Sequence, residues 1–155
     1  MDKLPEASSA SPGKQDKLVP ERVVDGLPTM YCFETCPFCF KVKALLGSRG
    51  IEYSKVEVDP TFKTQLKWSE WGKVPVFVDI DGTQVNDSNY ILHYIDSNGP
   101  ESFPRKGEDL DQDKWMDFSN DVLGKSIVAV IYSSYKTSVE ALDYVTRVDN
   151  FSFGS

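Results

Sequence analysis

Residues 29–48 read TMYCFETCPFCFKVKALLGS, and this stretch decides the fold. Thr29–Phe33 (TMYCF) is a short apolar, strand-like run. Thr35 is placed to cap a helix whose first turn holds Cys36 and Pro37. Val42, Leu45 and Leu46 fall on one helical face, and the helix is predicted to stop near Gly47 or Gly50. A strand therefore runs into a helix, with a C-x-x-C pair at the junction.

Working outward, Glu52–Val58 (EYSKVEV) alternates and predicts a second strand. Asp59-Pro60 opens a predicted short helix through about Trp68. Pro75–Ile80 (PVFVDI) is apolar and β-branched, Asp81-Gly82 is a hairpin turn signal, and Thr83–Asn86 returns as a strand. Asp87 or Ser88 caps a third helix, with Ile91, Tyr94 and Ile95 on its buried side. Asn98-Gly99-Pro100 ends it. The order is β-α-β-α-β-β-α, an α/β unit over residues 28–98. Its first two strands, joined by a helix, are expected to be parallel, and its last two antiparallel. A small mixed sheet with helices on both faces follows.

The flanks differ in texture. Residues 1–27 contain no aromatic residue, and four of the nine prolines lie in the first 28 positions. Such a segment buries too little apolar surface to offset its ordering entropy, which predicts a disordered tail over 1–27. Residues 99–155 are expected to hold a linker followed by two helices. The first is a candidate over Leu110–Ile131, with Trp115, Phe118, Val122, Ile127, Val130 and Ile131. Thr137-Ser138-Val139-Glu140 has the form of a capping box that would open the second. Two helices cannot bury all this apolar surface alone, so docking on the first unit, on further chain or on a second copy is expected.

Composition narrows the role. Hydrophobic residues make up 40% of the 155, enough for a core. Seventeen Lys and Arg against 24 Asp and Glu leave a formal charge of −7, which disfavours nucleic acid or an anionic membrane as the main partner. No apolar run approaches the ~18 residues of a membrane span. The start lacks an apolar signal region and has one Arg by residue 28, so neither a secretory signal nor a transit peptide is expected. Cys32, Cys36 and Cys39 are too few and too clustered for a disulfide framework. A reducing compartment, the cytoplasm, is the expected location.

The chemistry is expected at Cys36 and Cys39. Cys36 is expected at the exposed N-terminus of the helix, where free backbone N–H groups and the helix dipole favour a thiolate. Cys39, one turn in, is placed to attack a mixed disulfide formed at Cys36. Glu34 works against the thiolate. A C-x-x-C can also be half of a zinc site, but the remaining ligand candidates are only Cys32 and His93, so no metal site is assigned. Inert core cysteines are the other alternative, and Cys32 is read that way.

Two further segments fit one ligand. Lys73-Val74-Pro75 stands before the third strand, opposite the loop after the first, where a cis proline would expose the Val74 backbone to an extended peptide. A plain strand-initiating proline is the simpler alternative. Asn86-Asp87-Ser88 opens the third helix, where N–H groups and the Ser88 hydroxyl could take a carboxylate and Asp87 an amine; plain N-capping is the alternative. With the Cys-Pro-Phe-Cys, these features describe a short thiol peptide with an α-amino-carboxylate end, as in glutathione.

Cys36-Pro37-Phe38-Cys39, Val74-Pro75 and Asp87-Ser88, in this order of elements, resemble the glutaredoxin-like N-terminal domain of glutathione transferases. Tyr31–Cys39, Lys73–Val76 and Asn86–Ser88 look most like the prostaglandin E synthase 2-like members. The resemblance implies a thioredoxin-like fold of glutaredoxin type, followed by a short, incomplete helical region of the transferase C-terminal type. It implies Cys36 as the reactive thiol, with Val74, Pro75, Asp87 and Ser88 contacting glutathione. Phe33, Pro37, Phe38 and Lys73 complete the expected site. Phe33 stands where simple glutaredoxins carry Lys and some relatives Tyr. The implied activity is glutathione-dependent: thiol–disulfide exchange, transfer, or isomerisation of the prostaglandin E synthase kind. The implied substrates are small thiols, disulfides or hydrophobic electrophiles. Haem binding comes with the resemblance, a homodimer through the helical region would cover its excess apolar surface, and an iron–sulfur carrier with Cys36 and glutathione as ligands between two chains is an alternative. A non-catalytic binding module is another.

Overall fold

The computed structural model describes residues 26–99 and 111–148. Most of the expected tail and linker lie outside the described residues. The first unit holds β1 (Thr29–Cys32), α1 (Pro37–Ser48), β2 (Ser54–Glu57), β3 (Val76–Val78), β4 (Gln84–Asn86) and α2 (Ser88–Asn98). The strands form one sheet in the order β2-β1-β3-β4. β1 and β2 are parallel, as the helical crossover requires, and β3 is antiparallel to both β1 and β4.

β1 is the centre of this sheet, and none of its four side chains is exposed. Strand alternation divides its neighbours between two cores. Met30 and Cys32 face Cys39, Val42 and Leu46 of α1 and Ile91 and Ile95 of α2. Tyr31 faces the other way, with Val56, Val58, Leu66, Val76 and Val78. Trp68 closes that side, its ring 5.1 Å from that of Tyr31.

The helix expected over Asp59–Trp68 is a chain of turns with one 3-10 segment, Thr64–Leu66. Asp59 accepts from the Thr61 N–H, and Lys63 adopts a left-handed backbone at φ 47°, which no helix continues through. Both α-helices of the unit therefore share one face. The ends of α1 and α2 are tied by Arg49, whose guanidinium pairs with Asp96 and donates to the Ile95 carbonyl. The hairpin turn forms as expected, with Gly82 at φ 86°.

The C-terminal region holds α3 (Gln112–Phe118), a π-helical segment (Ser119–Gly124) and α4 (Lys125–Ile131) in one continuous run. α5 (Tyr135–Leu142) and a 3-10 turn (Asp143–Arg147) follow. The capping box falls three residues earlier than expected: Ser134 caps α5, and Thr137, its partner, was expected to be the cap. Both sites offer hydroxyls at the right spacing, and the chain reversal after α4 selects the earlier one. The apolar residues of this region stay uncovered, as the excess of apolar surface predicts: Val130 is 66% exposed and Tyr135 88%.

Candidate active site

The site begins where β1 ends and α1 starts. Cys36, not Thr35, is the N-cap, with extended backbone at φ −77° and ψ 116°. Pro37 follows as the first helical residue, where its missing N–H costs nothing. This geometry points the Phe38 and Cys39 N–H groups at the Cys36 sulfur. The Cys36 thiol is pulled down to about 7. Hydrogen bonding from the Cys39 thiol contributes most, burial opposes it, and the two backbone N–H groups and the Lys43 ammonium add to it.

The sequence placed Cys36 on an exposed helix end. It is instead 8% exposed, at the edge of the core shared by α1, α2 and β1. Phe33, Phe38 and Val74 pack against that core. The sulfur is enclosed, yet it sits among the donors that stabilise its anion.

The three cysteines separate by environment. Burial, and then the neighbouring Cys36, drive the Cys39 thiol far above its ordinary range. Cys39 therefore keeps its proton while Cys36 is a thiolate. Cys32 is fully buried and pushed up to about 12, chiefly by burial. No disulfide joins them.

Glu34, expected to oppose the thiolate, is neutralised. Its Oε2 lies 3.1 Å from Lys55 Nζ and 3.3 Å from Lys43 Nζ. The Lys55 contact is the main cause that holds the Glu34 carboxyl below its ordinary range. Lys55 also pairs with Glu57 at 3.4 Å, and Glu57 Oε1 accepts from the Glu34 N–H at 2.6 Å. Glu57 reaches this loop because the parallel register sets it beside Cys32. Lys43 was the residue sequence reasoning missed. It stands seven positions after Cys36, two helical turns along the same face, and that spacing was the available signal.

The Val74–Pro75 bond is cis. Val74 packs on the cluster that holds Cys36. β3 carries this segment to the second half of the site, because Val76 pairs with Asn86 at the end of β4. Asp87 follows at φ 69° and caps α2 by accepting from the Asn89 N–H at 2.8 Å. Ser88 is buried, and its Oγ lies 3.5 Å from Asn120 Oδ1. Lys73 is exposed, with its ammonium 5.3 Å from the centre of the Trp71 ring.

The C-terminal region covers part of this site. Gly124 lies against Phe38: a Cβ there would stand 2.8 Å from Phe38 Cε1 and 3.0 Å from the Ser119 carbonyl. Tyr144 brings its hydroxyl, buried, beside Thr35 and Glu57, and burial pushes it up to about 12. Neither contact was legible from spacing.

Among the described residues no group of three or more His, Cys, Asp and Glu side chains is placed to hold a metal ion. His93 is exposed on α2. No helix among them is long and apolar enough to cross a membrane. A cavity of about 270 Å3 lies at the far end of the sheet, bordered by Leu46, Ile51, Phe77 and Tyr94, away from Cys36.

A β2-β1-β3-β4 mixed sheet, a C-x-x-C at the first helix start and a cis proline before β3 define the thioredoxin-like class. The family model for the glutathione S-transferase N-terminal domain matches residues 30–103. Glutaredoxin 3 of Escherichia coli K12 is 33% identical over 67 residues, covering 41% of this chain and 81% of that protein. Prostaglandin E synthase 2 of Danio rerio is 26% identical over 167 residues, covering 79% of this chain. The chain spans 44% of that relative's length. A glutathione S-transferase from Methylobacillus flagellatus, solved with glutathione bound, superposes with a TM-score of 0.56 at 21% identity. That match covers 77% of this chain and 65% of the transferase. The chain belongs to the superfamily of glutaredoxin-like and glutathione S-transferase N-terminal domains.

Proposed function

We propose that this protein is a glutathione-dependent thiol enzyme with Cys36 as its nucleophile. The observation that carries the reading is the placement of Cys36 as the N-cap of α1, where its hydrogen bonds pull the thiol down and Cys39 one turn in keeps its proton. In a disulfide reaction the Cys36 thiolate attacks the glutathione sulfur of a mixed disulfide R–S–S–G. The new bond is Cys36–S–S–G, and R–S⁻ leaves and takes a proton from solvent. A second glutathione thiolate then attacks that adduct, releasing oxidised glutathione and restoring the Cys36 thiolate. Alternatively Cys39, losing its proton, attacks and releases reduced glutathione, leaving a Cys36–Cys39 disulfide.

Val74 and Pro75 would lie along the peptide backbone, and Asp87 and Ser88 would hold the γ-glutamyl amine and carboxylate. Phe33, Pro37 and Phe38 would wall the thiol, with Lys73 at the rim. The glutathione found in the M. flagellatus transferase supports this ligand class. A transferase or isomerase reaction on a hydrophobic electrophile, as the prostaglandin E synthase 2 relative's name suggests, would use the same thiol. The reading places the enzyme in a reducing compartment, the cytoplasm. It includes self-association through the helical region, whose apolar residues are uncovered.

The enclosure of Cys36 favours one competing reading, a non-catalytic binding module. Turnover of a small glutathione mixed disulfide by wild type, Cys36→Ser and Cys39→Ser separates them. Cys36→Ser is expected to lose at least about a thousandfold in rate, as removal of a nucleophile does, while Cys39→Ser keeps the glutathione-resolved route. Unchanged turnover in Cys36→Ser eliminates the nucleophile. Absence of turnover in reduced wild type favours the binding module.

A further inference from the structure

Lys41 lies on α1, five residues beyond Cys36. It donates to Asn89 Oδ1 at 2.7 Å and to Asn120 Oδ1. Asn89 directly follows Ser88 at the start of α2, and Asn120 lies in the π-helical segment. The same Asn120 oxygen faces Ser88 Oγ. One cation thus ties together the helix that carries the thiols, the helix start expected to hold the ligand carboxylate, and the C-terminal region.

The arrangement is costly as packing alone. Burial weighs against the Lys41 charge more than the nearby carboxylates of Asp87 and Asp117 favour it, and neither carboxylate accepts its hydrogen bonds. Its two acceptors are neutral carboxamides, which offset desolvation less well than a carboxylate would. An apolar side chain would fill the space at lower cost. What the ammonium supplies instead is direction: it can only donate, so it turns both carboxamide oxygens inward.

We propose that Lys41, through Asn89 and Asn120, is a positioning residue that fixes the Asp87-Ser88 end of the cleft against the C-terminal helices. This rests on the reading of that cleft as a glutathione site. Its consequence is reciprocal: the docked π segment favours the ligand-ready start of α2, and ligand there favours docking.

The test is reduced glutathione binding by calorimetry, read beside iodoacetamide labelling of Cys36. Lys41→Met is expected to weaken glutathione binding about tenfold, the scale of a lost charged hydrogen bond, while Cys36 labelling at pH 7 stays at the wild-type rate. Lys41→Arg should recover most of the affinity, because a guanidinium can donate to both oxygens. Asn120→Ala should give a loss of similar size, and should add little in a Lys41→Met background. If Lys41→Met does not fold, Asn120→Ala carries the same prediction. Unchanged affinity in these variants, or no recovery in Lys41→Arg, overturns the inference and leaves the glutathione reading standing. Wild type that binds no glutathione overturns that reading, and this one with it.

Discussion

The two halves of this chain solve the same burial problem with opposite success. In the sheet unit every residue of β1 is enclosed, and each side of the strand has its own core. In the helical region Val130 is 66% exposed and Val139 49%, on helical runs that open at the Asp111 and Ser134 caps. Local helix signals were therefore sufficient to form the second half but not to cover it. The sheet unit stands on its own core, and the site was built on that half. The helices contribute by leaning on it, through Gly124, Asn120 and Tyr144.

The sharpest way to break this contrast is to open the first core. Leu46→Ala removes a fully buried side chain between α1 and α2. It is expected to cost about 3 kcal/mol of unfolding free energy, measured by urea denaturation. A loss under about 1 kcal/mol would mean that the unit is looser than its packing implies.

A smaller effect is expected from electrostatics at the site. Cys36 reacts as thiolate, so its alkylation rate should rise with pH through about 7 and then level. Lys43→Met removes a positive charge that favours the anion, so the midpoint should move up. Glu34→Gln removes the carboxylate that faces Lys43 and Lys55, so it should move down. Mass spectrometry of labelled Cys36 from pH 5 to 9 reads both, and a common direction for the two variants would sink this account.

The smallest effect belongs to the helices. At a dilution where the chain is monomeric, Val130→Ala should change stability by no more than about 0.5 kcal/mol, as for an exposed position. Denaturation of the variant beside wild type checks it. A larger loss in the monomer would show that the α4 face is covered within one chain, and a loss that appears only at high concentration would report the proposed self-association.

What the sequence made legible was local. The Cys36-Pro37 helix start, the Asp81-Gly82 turn and the Asp87 cap each depend on a few adjacent residues, and each formed where expected or within one position. Cap choice slipped where several hydroxyls competed, at Ser134 against Thr137. The Asp59–Trp68 segment was misread because its fate depends on tertiary partners: Trp68 leaves a helical path to pack on Tyr31. The charge cluster at Glu34 was half visible. Lys43 was within helical reach, but Lys55 and Glu57 arrive only through the β1–β2 register. The glutathione-site segments were legible as separate motifs, and the pairing of Val76 with Asn86 is what sets them side by side.

The contact between Gly124 and Phe38 carries a consequence for how such a chain can diverge. The third residue of the redox motif is also the seat on which the helical region rests, and the seat accepts only a hydrogen from above. A bulkier residue at 124 needs both position 38 and the turn that carries the Ser119 carbonyl to give way. Drift in the motif and drift in a helix far along the chain are therefore coupled.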